Sequence, residues 1–154
     1  MITVNVTPSY RRNSSEEELT TLISGDWPLR QQQDLGPYAD ILVAVARGRV
    51  VTVREIEGLR VIEVDPRRRV QFQLGVCPPQ ALSARGRPSP EQMRWRRGEH
   101  WPVKAFHWSI EALCASLGID SSSSTAEIRG FELSVDDVGN AHVWCPPGKT
   151  VTIH

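Results

Sequence analysis

With 154 residues, 40% hydrophobic and 23% charged content and no net charge, the chain has the make-up of one globular domain, which excludes a fibrous repeat or a wholly disordered segment. No apolar run approaches the roughly eighteen residues of a membrane helix, and Met1-Ile2-Thr3-Val4-Asn5-Val6 lacks the basic region and apolar core of a signal peptide, so no membrane partner and a cytoplasmic setting are expected. Zero net charge conceals a strong polarity: sixteen of the eighteen basic residues are arginine, and the stretch from Arg47 to Lys104 holds thirteen basic against six acidic residues, while both ends are acidic.

In chain order, Ile2, Val4 and Val6 alternate with polar residues and predict a half-buried strand. Ser14 stands three residues before Glu17 as a capping box, and Leu19, Leu22 and Ile23 recur at helical spacing until Gly25, which predicts a helix at about 15–24. Asp40 to Ala46 is a continuous apolar run of strand length, and Arg49 to Ile56 is a β-branched run; Arg47-Gly48 between them predicts a tight hairpin. Glu57-Gly58 offers a further turn, Leu59 to Val64 a further strand, Asp65-Pro66 a break, and Val70, Phe72 and Leu74 alternate, so an antiparallel meander is expected.

From Cys77 to about Met93 periodicity is lost among prolines, glycines and serines, which predicts a long, mobile loop. Val103 to His107 reads as a return strand, and Ile110, Leu113, Cys114 and Leu117 mark one helical face that Gly118 ends. Ser121 to Ser124 is a connector, Phe131, Leu133 and Val135 a strand, Asp136 to Asn140 a turn, Ala141 to Cys145 its return, and Thr150 to Ile153 a last strand. Cys77, Cys114 and Cys145 are odd in number and widely spaced, matching neither a disulfide framework nor a paired zinc site. Cys114 falls on the apolar helix face, and Cys77 and Cys145 each open a Cys-Pro-Pro triplet that suits a strand ending at a rigid turn.

The richest cluster for chemistry is Arg94-Trp95-Arg96-Arg97-Gly98-Glu99-His100-Trp101, with Lys104, Phe106, His107 and Trp108 close behind. Guanidinium groups track phosphates and release counterions, while indole faces stack on unpaired bases. Arg67-Arg68-Arg69 is a second basic patch. His100, His107, His142 and His154 show no metal spacing, and Pro147-Gly148-Lys149-Thr150 lacks both the upstream glycine and the following helix of a phosphate-binding loop.

The cassette Tyr38-Ala39-Asp40-Ile41-Leu42-Val43-Ala44-Val45-Ala46-Arg47-Gly48-Arg49-Val50-Val51-Thr52-Val53-Arg54-Glu55-Ile56-Glu57-Gly58 resembles the central hairpin of PUA-like domains, the small pseudo-barrels that include the ASCH and EVE families. The likeness covers about residues 27–107; Trp27 and the Arg97 to Val103 segment fall where such domains place pocket-facing loops. The Gly-x-Lys-x-x-Glu-x-Arg signature of the ASCH family is absent, so no catalytic lysine carries over. The resemblance implies a fold and a habit of binding nucleic acid, sometimes with a modified base held in an aromatic pocket.

The expectation is a single PUA-like α+β domain over residues 1–154: a small curled or closed antiparallel β-barrel with about two helices and a long loop at about 77–93. It would bind RNA or DNA without catalysis, with Arg67, Arg68, Arg69, Arg94, Arg96, Arg97 and Lys104 on the backbone and Trp95, Trp101 or Trp27 stacking on or enclosing a base. A single strand or a flipped base is favoured because stacking needs an unstacked base. No metal and no other cofactor is expected. Two other readings stand: a small hydrolase of the same fold, acting on a nucleoside or another small ligand through Glu55 or Glu99 with His100 or His107 in a deep pocket, and an interaction module whose arginines meet an acidic partner or a second copy of the chain as a homodimer.

Overall fold

The computed structural model describes residues 1–64, 67–119, 124–128, 131–135 and 141–144, with only the backbone described at Val64 and through most of the last three strands. Its elements are β1 (Ile2–Asn5), α1 (Glu16–Ser24), β2 (Trp27–Leu29), β3 (Ile41–Ala46), β4 (Arg49–Val64), β5 (Arg67–Leu74), β6 (Val103–Ala105), α2 (Ile110–Ser116), β7 (Ser124–Ile128), β8 (Phe131–Val135) and β9 (Ala141–Trp144). The predicted turn at 136–140, Cys145, the phosphate-loop-like 147–150, the strand at 150–153 and His154 lie outside the described residues.

β3 is apolar at every position because both of its faces are covered. Leu42, Ala44 and Ala46 point to one core and Ile41, Val43 and Val45 to the other, the period-two alternation of a strand with apolar layers on either side. The first core draws on all six barrel strands (Val4, Leu29, Leu42, Val51, Val70 and Val103 among them), so it is the barrel interior, and Leu19 and Ile23 of α1 close one end of it. The second core lies outside the barrel wall, where Leu113, Cys114 and Leu117 meet Ala81, Ala84 and Met93.

The barrel strands run in the order β2-β5-β4-β3-β1-β6. The end strands β2 and β6 come back within 8 Å of each other without forming a ladder, leaving a nearly closed barrel with one open seam. The pairings are antiparallel except for β1 with β3, which is parallel. The expected α+β barrel is therefore mixed rather than wholly antiparallel: the chain between β1 and β3 contains α1 and β2, and that long crossover is what parallel neighbours require. β1 is accordingly buried on both faces from Met1 to Val4, Thr3 included, and not half-exposed as its alternation suggests. β7, β8 and β9 form a separate antiparallel meander.

Two local expectations are corrected. The capping box is Ser15 with Glu18, one residue later than Ser14 with Glu17; Ser15 Oγ accepts from Glu18 N at 3.1 Å and Glu18 Oε2 from Ser15 N at 2.9 Å. Glu57-Gly58 is a bulge inside the continuous strand β4, not a turn: Ile56 partners Leu74 and Gly58 partners Gln73, so Glu57 is the extra residue. Glycine fits there because a Cβ would stand 3.2 Å from Gln73 Oε1 and 3.4 Å from Gln73 Cβ. The 77–93 segment holds two 3-10 turns, Pro79–Ala84 and Glu91–Met93. It is laid along β4 by Val50 N to Arg87 O at 2.9 Å, Gly86 N to Val50 O at 2.8 Å and Ser89 N to Gly48 O at 2.8 Å. The predicted hairpin at Arg47-Gly48 is present, both residues having positive φ, 50° and 72°.

Candidate nucleic-acid interface

The Arg94 to Lys104 segment folds back on itself ahead of β6. A turn from Arg96 to Glu99 is closed by Glu99 N to Arg96 O at 3.1 Å, with Gly98 at φ 91°. Trp95 is half-buried against the outer core and donates Nε1–H to the Trp101 backbone carbonyl at 2.7 Å, which ties the Trp95 ring to the chain just before β6; Trp101 remains 40% exposed. Lys104 crosses the Trp95 ring with Nζ 4.9 Å from its centroid, donates to the Arg94 carbonyl at 2.7 Å, and pairs with Glu99 at 2.8 Å. The Lys104 ammonium, and after it the Arg96 N–H at 2.9 Å, hold the Glu99 carboxylate below the ordinary glutamate range.

Much of the charge here is already answered. Lys104 meets Glu99, Arg96 meets Glu91 at 3.5 Å, and Arg94 donates Nε–H to Ser89 O at 2.9 Å. Arg97 is exposed at the turn. The strength of the cluster as a recognition surface thus rests on the exposed Trp101 face and on Arg97.

Trp27 and the Arg67 to Arg69 patch form a second group on the β2–β5 ladder, where Trp27 partners Val70, Pro28 partners Arg69 and Leu29 partners Arg68. Trp27 packs against the barrel interior and donates Nε1–H to Ile23 O at 2.8 Å, so it ties β2 to the end of α1. Because Trp27 joins the inner core and Trp95 the outer one, the three indoles do not enclose a single pocket. Arg68 reaches Gln31 O at 2.5 Å and Glu63 at 3.3 Å, and Arg69 reaches Asp26 O at 3.3 Å; these two anchor the chain flanking β2, while Arg67 is exposed.

The link between the two groups is the open seam of the barrel, which holds a groove of about 740 Å³. Arg30, Gln31, Gln32, Gln33 and Asp34 line one side, Lys104 and Phe106 the other, and Tyr38 stands among them. His107 stacks obliquely on Tyr38, ring centroids 4.5 Å apart. Arg30, the three glutamines and Tyr38 were not foreseen as site residues. A run of three glutamines between β2 and the Pro37 turn is the signal that marks them, since side-chain amides offer both donors and acceptors.

Among the described residues, the glutamate–histidine pairs considered for hydrolysis are not brought into contact. Glu99 is engaged by Lys104, His100 is exposed, and His107 faces Tyr38; among the described residues neither histidine lies in an ion pair with a carboxylate. Glu55 is exposed on β4. Among the described residues no group of three or more His, Cys, Asp or Glu could hold a metal ion, and no helix is long and apolar enough to cross a membrane. Burial pushes the Cys77 and Cys114 thiols upward, Arg54 partly opposing this at Cys77. Compared with known proteins, the chain matches no protein-family profile, no curated protein and no solved structure.

Proposed function

We propose that the chain is a non-catalytic nucleic-acid-binding domain of PUA-like type that takes a single-stranded or flipped base at the open barrel seam. One observation carries this reading: the groove between the unpaired edges of β2 and β6 gathers Arg30, three glutamine amides and the rings of Tyr38 and Phe106, with Asp34 and the Glu99-paired Lys104 also in its lining. Amides present the paired donor and acceptor that a base edge asks for, and aromatic faces take the place of the neighbouring base in the stack. Trp101, exposed just before β6, offers a further stacking face. The nearly closed barrel and the hairpin cassette at 38–58 add the support of a resemblance to the PUA-like group.

The test is a fluorescence titration of the protein with short single-stranded RNA and DNA and with a matching duplex. Affinity for the single strands should exceed that for duplex and fall with salt, log K declining by about 0.7 per phosphate contact for each decade of salt. Trp101→Ala should weaken it by about tenfold, as expected for about 1–3 kcal/mol of stacking per base, and Arg30→Gln should weaken it and lower that salt slope by about one contact. Equal affinity for single strands and duplex with both variants silent would reject the proposal.

A further inference from the structure

Beside the Arg47-Gly48 hairpin lies a second hollow of about 880 Å³, more enclosed than the seam and lined by Tyr10, Arg11, Arg12, Arg47, Arg49 and Arg85. Five of these six residues are arginines, and no carboxylate is among the residues lining it. From these observations we infer that this hollow is a phosphate-binding site for a run of consecutive phosphates, whether in a nucleic-acid backbone or in a free oligophosphate.

Three segments distant in sequence build it. The chain after β1 curls through Ser9 N and Tyr10 N, both donating to Val6 O at 3.0 and 2.8 Å, and presents Tyr10, Arg11 and Arg12. Thr7 Oγ1 accepts from Arg47 N at 3.0 Å, tying that loop to the hairpin. The 85–87 stretch is pinned to Val50 from the opposite side, and Arg49 Nη1 donates to Gly86 O at 2.7 Å. Arg85 is bound to Glu16, whose other carboxylate oxygen takes Arg54 at 2.5 Å. Among the described residues Arg11, Arg12, Arg47 and Arg49 pair with no carboxylate. Like charges around one hollow repel one another, and an anion is the group that relieves this.

The backbone adds an independent pointer. Arg47 is the one described non-glycine residue with positive φ, at 50°. Asn or Gly is the usual occupant of that position in such a hairpin turn, and an arginine there is strained. Strain of this kind collects where a side chain has work to do, and Arg47 is one of the residues lining the hollow. The ligand's chemistry follows from charge: a single phosphate, at about −1.5 to −2, leaves most of the guanidinium groups unanswered, whereas successive phosphates offer each fork two oxygens.

The site shares no lining residue with the seam, so it stands or falls separately from the proposed base recognition. Calorimetry at low salt with tripolyphosphate, a nucleoside triphosphate, a single-stranded ten-nucleotide DNA and an oligoglutamate tests it. Tripolyphosphate or the DNA should bind, and Arg12→Gln with Arg47→Gln should weaken that binding by about tenfold or more while Trp101→Ala leaves tripolyphosphate binding unchanged. The corresponding Arg→Lys pair, keeping charge but losing the fork, should fall between; thermal unfolding checks that each variant folds. Binding of tripolyphosphate without DNA supports the hollow as a free-oligophosphate site and rejects the nucleic-acid reading; binding of DNA alone, lost in the Gln pair, identifies a polymer backbone as the source. Oligoglutamate binding as tightly as tripolyphosphate, or phosphates binding equally to wild type and the Gln pair, would overturn the inference.

Discussion

Lys104 lies over the indole of Trp95, Nζ 4.9 Å from the ring centroid, while the same ammonium pairs with Glu99 at 2.8 Å. One cation thus holds a half-buried ring and a surface carboxylate together at the start of β6. Lys104→Met keeps the aliphatic stem over the ring and removes the charge, so it should cost about 0.5–1 kcal/mol of stability, read as a lowered denaturant midpoint.

The same contact makes Trp95 a reporter of acid. Glu99 has a lowered folded-state pKa, so the stabilisation it gives is complete above the unfolded value of 4.5 and is lost as pH falls through the lower folded value. Tryptophan emission should therefore change below pH 4.5, and Glu99→Gln should remove that transition. A transition unaltered by Glu99→Gln would assign it to another group.

Trp27 and Trp101 should separate stability from binding. Trp27→Phe breaks the bond to Ile23 O and should lower Tm by about 2–4 °C, the equivalent of about 1 kcal/mol, with single-strand affinity intact. Trp101→Ala, at a site 40% exposed, should do the reverse.

Arg87 is predicted to be structural despite lying in the arginine-rich stretch. Its Nη1 donates to Leu117 O at 3.0 Å and Gly118 O at 3.1 Å, and its Nε to Ser83 O at 3.1 Å, capping α2 and fastening it to the 3-10 turn Pro79–Ala84. Arg87→Ala should cost roughly 1.5–3 kcal/mol in urea unfolding and leave oligophosphate affinity unchanged.

Both described cysteines should resist alkylation in the native state. Cys114 is buried and donates to Gln80 O at 3.2 Å; Cys77, half-buried, donates to Pro78 O at 3.6 Å; and burial raises both thiols. In a Cys145→Ser background, iodoacetamide labelling at pH 7 should be slow until denaturant is added.

Local pattern was enough to place most of the barrel. The apolar run at 41–46, the β-branched run after it and the 3.6-period face at 110–117 each name their element, because strand alternation and helical spacing are short-range signals. Gly58 misled, since a glycine beside a charged residue in a β-branched run looks alike whether it turns the chain or bulges it; the partner strand decides. Ser14-x-x-Glu17 and Ser15-x-x-Glu18 match the same capping pattern, and only the helix start tells them apart. Clustered arginines at 67–69 and 94–97 attract attention in a sequence, yet several of them are spent on carbonyls and carboxylates. Arg11, Arg12, Arg47, Arg49 and Arg85, scattered over the chain, are brought together only by tertiary folding.

The pairing of Thr3 with Val43 joins residues roughly forty positions apart, and β3 also separates the two apolar layers. Closing so long a loop is entropically uphill until side chains on both sides of the strand have somewhere to go. Refolding should then be governed by when β3 docks, so that Val43→Ala and Leu42→Ala slow the folding limb of a chevron more than a comparable truncation in α2 does. Deleting one residue from this strand would exchange the occupants of both layers at once, which makes its length the least negotiable dimension of the molecule.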